Sequence, residues 1–157
     1  MSKIGDALIP RITLERVDHP ERERFLTVRL NGAGVVERTI KDGKTPVAFT
    51  GYRVRAGQFV YSRIDARNGA FGVIPDDLDG AVVSKDFPVF DINGEVADAD
   101  YLMHFFRSGR LQHAIQANSR GATNRQRIKE EEFLRFPIPM PRLEEQRRIA
   151  GILDQAK

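Results

Sequence analysis

The chain has 157 residues, no cysteine and a formal net charge of +3. That length suits one domain and lets roughly two-thirds of the surface exposed by the unfolded chain be buried, so no covalent or metal staple is required. The missing cysteines exclude disulfides, thiolate metal sites and cysteine nucleophiles; no apolar run approaches the ~18 residues of a membrane span and "MSKIGDALIPR" lacks a signal-peptide core, so the expectation is a soluble, cytoplasmic protein without membrane association.

Residues 1 to 24 are weakly patterned: Ile4, Leu8 and Ile12 could share a helical face that Pro10 interrupts, or Ile12-Thr13-Leu14 could form a short strand. His19-Pro20-Glu21 reads as a turn. Phe25 to Leu30 predicts a strand, Asn31-Gly32-Ala33-Gly34 a glycine turn, and Val35-Val36 with Thr39-Ile40 the return strand, closed by an Asp42-Gly43 turn. Tyr52 to Arg55 alternates and turns at Ala56-Gly57. Gln58 to Ser62 is the best strand signal; Arg63 to Phe71 is a polar loop, Gly72-Val73-Ile74 resumes a strand, and Pro75-Asp76-Asp77 closes it. Ala81-Val82-Val83 and Pro88-Val89-Phe90 are short strands about a Ser84-Lys85-Asp86 turn. Asp98 or Asp100 can cap a helix. Its apolar face, Tyr101, Leu102, Phe105 and Phe106, bends near Ser108-Gly109 and continues through Leu111, Ala114 and Ile115 to Asn118.

The C-terminal stretch has two halves. Pro137, Pro139 and Pro141 alternate with apolar residues, which predicts an extended run over 136–141 that cannot be a central strand. Ile149, Ile152, Leu153 and Ala156 then recur at helical spacing. Pro141 sits at or before the first turn, and Glu144 precedes Arg148 by four residues, the favoured order for an ion pair. Short strands followed by helices make this an α+β fold: a twisted, mainly antiparallel β-sheet with packed helices, then the start of a long C-terminal helix.

Charge is uneven. Arg11 to Arg67 holds twelve Lys and Arg against seven Asp and Glu, Asp76 to Asp100 eight acids against Lys85 alone, and the basic excess returns from Arg120 to Arg148. Two polar segments carry the side chains that DNA reading needs. One runs from Ser62 to Asn68, with Ser62, Arg63, Arg67 and Asn68. The other runs from Ser119 to Arg127, with Arg120, Gly121, Thr123, Asn124, Arg125, Gln126 and Arg127. Arg pairs with two guanine atoms and Asn or Gln with two adenine atoms, Ser and Thr suit phosphates, and Gly121 admits close backbone approach. Ordinary solvated loops have the same composition.

Catalytic readings find no support. The Asn/Asp-Pro-Pro-aromatic loop of an amino-methyltransferase is missing, and Gly32-Ala33-Gly34 lacks the rest of a nucleotide fingerprint. Pro75-Asp76 has no acid-x-lysine partner. His19, His104 and His113 lack metal-ligand spacing, and Tyr101, Phe105 and Phe106 read as core. No catalytic, metal or cofactor site is expected.

"FPIPMPRLEEQRRIAGIL" resembles the junction that closes a target recognition domain in type I restriction–modification specificity subunits. The resemblance extends back through "VRAGQFVYSRIDARNGAFGVIPDDLDGAVVSKDFPVFDI" and "SRGATNRQRIKEEEFLRFPIP", and covers most of residues 25 to 155. Full specificity subunits carry two recognition domains and two long helices; this chain matches one domain (1–141) and the beginning of one helix (142–157). The resemblance implies a non-enzymatic module that reads one half of a bipartite double-stranded DNA site through the two basic segments. Leu143, Ile149, Ile152 and Leu153 would face a partner helix or the domain itself, with a homodimer as one form. Methyltransferase subunits would dock, and restriction subunits through them. The alternative is a regulatory interaction module whose helix only oligomerises.

Overall fold

The triplet Phe59-Val60-Tyr61 sets the layering. Successive strand residues point to opposite faces, yet all three are fully buried, with Phe59 and Tyr61 in one apolar cluster and Val60 in another. The strand therefore has protein on both sides. The same split recurs at Phe71 and Ala70, and at Phe90 and Val89.

The computed structural model describes residues 2–41, 43–118 and 127–156. In chain order the elements are β1 (Ser2–Lys3), α1 (Ile4–Ala7), β2 (Leu8–Pro10), β3 (Glu15–Val17), β4 (Phe25–Val28), β5 (Val35–Arg38), β6 (Phe49–Arg53), β7 (Phe59–Tyr61), β8 (Phe71–Val73), β9 (Val82–Ser84), β10 (Val89–Ile92), α2 (Ala99–Arg107), α3 (Arg110–Asn118), α4 (Glu130–Leu134), β11 (Pro137–Ile138) and α5 (Leu143–Gln155). One antiparallel sheet is ordered β2-β10-β7-β8, and a second β3-β6-β9-β4-β5. The second is antiparallel except where Phe25 of β4 meets Val82 of β9 in parallel. The mainly antiparallel α+β expectation holds, with two main sheets rather than one.

Three layers follow. Helical residues Ile4, Leu102, Phe106, Ile115, Phe133 and Ala150 cover one face of the four-stranded sheet. Its other face packs against Leu26, Val28, Tyr52 and Val83 of the five-stranded sheet. Val17, Phe25 and Val82 form a small cluster on the far side. Aromatic rings dominate the helical side: Phe133 stacks on Tyr61 with centroids 4.1 Å apart, and Phe106 meets Phe59 at 5.0 Å and Phe71 at 5.1 Å. Each buried ring contributes roughly 1.5–3 kcal/mol.

Local chemistry explains most boundaries. Asp98 caps α2 by accepting the Tyr101 N–H at 3.1 Å, and Gly109, at φ +81°, breaks the helical run between α2 and α3. Among the described residues, Pro137 and Ile138 pair only with Lys3 and Ser2, in a two-stranded ribbon, as a proline without a donor requires. Gly43 has φ +78°, but Asp42 lies outside the described residues. Several expectations shift. The N-terminal helix stops at Ala7, and Leu8 to Pro10 becomes an edge strand, where proline is tolerated. The early strand is Glu15–Val17, not 12–14. Helix α4 and strand β1 are too short to show a period. Val82–Ser84 and Val89–Ile92 belong to different sheets, so the turn between them is a crossover. Arg148 pairs with Glu145, Nε to Oε2 at 3.0 Å, while Glu144 reaches Arg142 at 3.5 Å. Spacings of three and four are both within reach on a helix.

Candidate nucleic-acid interface

The first basic segment leaves β7 as a fixed loop. Ser62 is buried, and its Oγ accepts the Asp65 N–H at 3.1 Å, a local side-chain turn. Ala66 is fully buried and begins a 3-10 turn, Ala66–Asn68, that ends on Gly69 at φ +81°. A Cβ on Gly69 would lie 2.5 Å from Gln112 Oε1 and 2.7 Å from the Asn31 nitrogen, so only glycine fits. Neighbours hold the loop backbone: Gln116 Nε2 donates to the Arg67 carbonyl at 2.8 Å, and the Asn31 and Gly32 N–H groups donate to Asn68 and Gly69 at 2.8 Å each. Asn68 Nδ2 donates to Asp65 Oδ1 at 3.3 Å.

Of the second segment, Arg120, Gly121, Thr123, Asn124, Arg125 and Gln126 lie outside the described residues. Arg127 is described; its Nε donates to Asp86 Oδ1 at 3.0 Å. The next residue, Ile128, donates its N–H to the Arg63 carbonyl at 2.8 Å, and its own carbonyl accepts the buried Tyr61 hydroxyl at 2.8 Å. The loop at 62–68 is thus bonded both to α3, which leads into the second segment, and to the stretch that leaves it. The two flanks of the second segment are thus both tied to the loop at 62–68.

The arginines differ in state. Arg63 is three-quarters buried and paired to Glu130, Nε to Oε1 at 2.7 Å. Burial works against its charge, but the hydrogen bond and charge of Glu130 outweigh it and raise the pKa of the guanidinium. Burial, then the charge of Glu130, push the Tyr61 phenol well above its ordinary range. Among the described residues, no carboxylate pairs with Arg67. Nothing in the local sequence signals Arg63–Glu130 or Asp86–Arg127.

The acidic stretch is largely engaged in holding the fold. Asp79 accepts the Ala56 N–H at 2.9 Å, and Asp91 accepts Gln58 Nε2 at 3.0 Å; that bond, opposed by burial and helped by Arg11, holds its carboxyl below the usual range. The expected partner-helix residues divide. Ile149 packs on the helical-side core, Leu143 is half-buried, and Ile152 and Leu153 are 53% and 41% exposed. Asp100, His104 and Asp154 bring ligand-type atoms within 4.8 Å of one another where α2 meets α5. His104 Nε2 lies 2.6 Å from Asp154 Oδ1, so this group already closes on itself. Spacing within one segment could not reveal it, because Asp154 comes from another helix.

A family model described as type I restriction modification DNA specificity domain matches residues 33–157. Among solved structures, the HsdS subunit from Thermoanaerobacter tengcongensis is similar with a TM-score of 0.67 at 22% identity, over 98% of this chain and 40% of that one. A chain from a structure described as "Structural basis underlying complex assembly and conformational transition of the type I R-M system" gives 0.63 at 23% identity, again over 98% and 40%. The chain therefore spans 40% of the length of either. No curated protein sequence matches it.

Proposed function

The chain belongs to the type I restriction modification DNA specificity domain family, and from that premise we propose that it reads one half of a bipartite DNA site without catalysing a reaction itself. The observation that supports this reading is the convergence just described: Arg67 and Asn68 stand on a loop bonded to both flanks of the second basic segment. A rigid platform of this kind suits recognition, since loops held by a fixed scaffold place side chains against a ligand reproducibly. Arg67, Asn68, Arg120, Thr123, Asn124, Arg125 and Gln126 are the proposed contacts. Arg125 and Gln126, with reach and bidentate geometry, are the candidates for base edges, and Arg120 for a phosphate.

Residues 1–141 would form the recognition unit and 142–157 the start of a spacer helix. Ile152 and Leu153 are exposed and would meet a partner helix, in a second recognition unit or a second copy of the chain. Methyl transfer and cleavage would belong to cytoplasmic methyltransferase subunits docked on the assembly and to restriction subunits joined through them. The test is duplex DNA binding by the chain across a salt series. Affinity in the nonspecific range of about 10⁻⁴–10⁻⁶ M that falls steeply with salt is expected; binding indifferent to salt would sink the proposal.

A further inference from the structure

The turn between β9 and β10 is a crossover from one sheet to the other, and it is stitched to both basic segments. Ser84 holds it, its Oγ accepting the Asp86 N–H at 3.3 Å and its carbonyl the Phe87 N–H at 3.1 Å. The Asp86 carbonyl accepts the Arg63 N–H at 2.9 Å, and its carboxylate accepts Arg127 Nε at 3.0 Å. The carboxylates of Glu130 and Asp86 already occupy Arg63 and Arg127. Lys85 stands in this turn, exposed, and no salt bridge engages it among the described residues. It is also the sole cation in an otherwise acidic stretch from Asp76 to Asp100.

We infer that the Ser84–Phe87 turn is a third element of the DNA face and that Lys85 contacts a backbone phosphate. Asp86 is the joint that holds the turn beside Arg63 and Arg127, and Arg127 offsets its negative charge, which would otherwise repel DNA. A lysine ammonium is a compact point charge on a flexible stem, suited to a phosphate and poorly suited to bidentate base reading. Lys85 should therefore add affinity without sequence preference. This inference rests on the DNA-reading function proposed above.

The experiment uses the chain assembled with its methyltransferase subunits, on a target duplex and an unrelated duplex, with Kd measured from 50 to 200 mM salt. Thermal melting checks that Lys85→Ala, Lys85→Glu and Lys85→Arg remain folded. Lys85→Ala should weaken both duplexes alike and flatten the log–log salt slope by about one. Its deficit at the low-salt end should then shrink about fourfold by the high-salt end. Lys85→Glu should be weaker still, and Lys85→Arg should restore the slope. If the parent protein binds with a steep salt slope and all three variants match it, the turn does not touch DNA, while the DNA-reading function stands. If Lys85→Arg loses as much as Lys85→Ala, charge is not the cause and the inference is overturned. If the parent protein shows no salt-dependent binding, the DNA-reading function fails, and the inference with it.

Discussion

Gln146 of α5 accepts the backbone N–H of Asp98 through its Oε1 at 2.8 Å, so one side chain ties the C-terminal helix to the residue that caps α2. Its Nε2 donates to the Val96 and Pro141 carbonyls at 2.7 Å each. Gln146 is fully buried, and every hydrogen-bonding group it carries into the interior is used there.

Gln146→Leu should therefore cost more than its lost contacts. It leaves the Asp98 N–H and two carbonyls without their partner, and a stranded buried polar group costs about 1–3 kcal/mol. A loss of at least about 2 kcal/mol is expected, read as a lower urea midpoint with an unchanged slope. A midpoint equal to that of the parent would show that α5 is docked by Ile149 and Ala150 alone.

Arg53 joins three strands' surroundings: Nε donates to Glu15 Oε2 at 2.9 Å, Nη2 to Glu23 Oε2 at 2.9 Å and Nη1 to the Gly80 carbonyl at 2.7 Å. The Arg53 hydrogen bond, against an opposing effect of burial and helped by its charge, holds the Glu23 carboxyl below its usual range. A depressed carboxyl contributes stability that is present above its unfolded pKa, about 4.3, and is lost as pH falls through the lower folded value. Arg53→Met should be destabilised by about 1.5–3 kcal/mol at neutral pH, and the gap from the parent should close in acid. Melting curves from neutral to strongly acidic pH check this; a constant gap would mean that the contacts, not the charges, matter.

Asp100 behaves in the opposite sense. A hydrogen bond to Asp154, then burial and the Asp154 charge, raise its carboxyl above the ordinary range, with Asp98 adding and His104 opposing. A raised carboxyl contributes stability below its unfolded pKa, about 3.9, and loses it as pH rises through the folded value. Asp100→Asn should therefore raise the thermal midpoint at neutral pH, and the gain should vanish below about pH 4. Parallel melting curves at all pH values would show that the two carboxyls do not compete.

How much of this was legible in the sequence depends on the range of each interaction. The Asp98 cap and the bend at Gly109 are set by residues within one turn, and both sit where the pattern places them. Within the proline run, Pro137–Ile138 forms a two-residue strand in a two-stranded ribbon with Ser2–Lys3, outside both main sheets, as proline chemistry demands. The layering was not legible: Val60 and Tyr61 read as one strand, and nothing local says that a second sheet covers the Val60 side. The candidate site was half legible. Composition marks the loop from Ser62 to Asn68, but whether Arg63 is free or held depends on Glu130, sixty-seven residues away.

Gly69 tests the platform itself. It has φ +81°, and a Cβ there would press on Gln112 and Asn31. Gly69→Ala should destabilise the fold by about 1–3 kcal/mol, from backbone strain. It should also weaken DNA binding by displacing Arg67 and Asn68. A variant as stable as the parent that binds normally would mean that the loop does not need this geometry.

Arg63 and Arg67 lie four residues apart, and the structure gives them different work. The guanidinium of Arg63 is paired to Glu130 in a site beside the buried Tyr61 hydroxyl, so Arg63→Ala strands a carboxylate that is itself three-quarters buried. A stability loss of about 1.5–3 kcal/mol is expected, and any fall in DNA binding should follow from the displaced loop. Arg67 has no carboxylate partner among the described residues, and its loop is held through its backbone carbonyl by Gln116. Arg67→Ala should then leave stability within about 0.5 kcal/mol. If it meets a phosphate, all duplexes weaken alike and the salt slope flattens by about one; if it reads a base, the preferred site loses about 1–3 kcal/mol and preference relaxes there. Denaturant melts, salt-dependent binding and mapping of methylated sites with the assembled subunits separate these cases. Arg67→Ala unchanged in both affinity and site preference would place the DNA face away from this loop, and Arg63→Ala folding as stably as the parent would show that Arg63 is not the strut that its contact with Glu130 makes it.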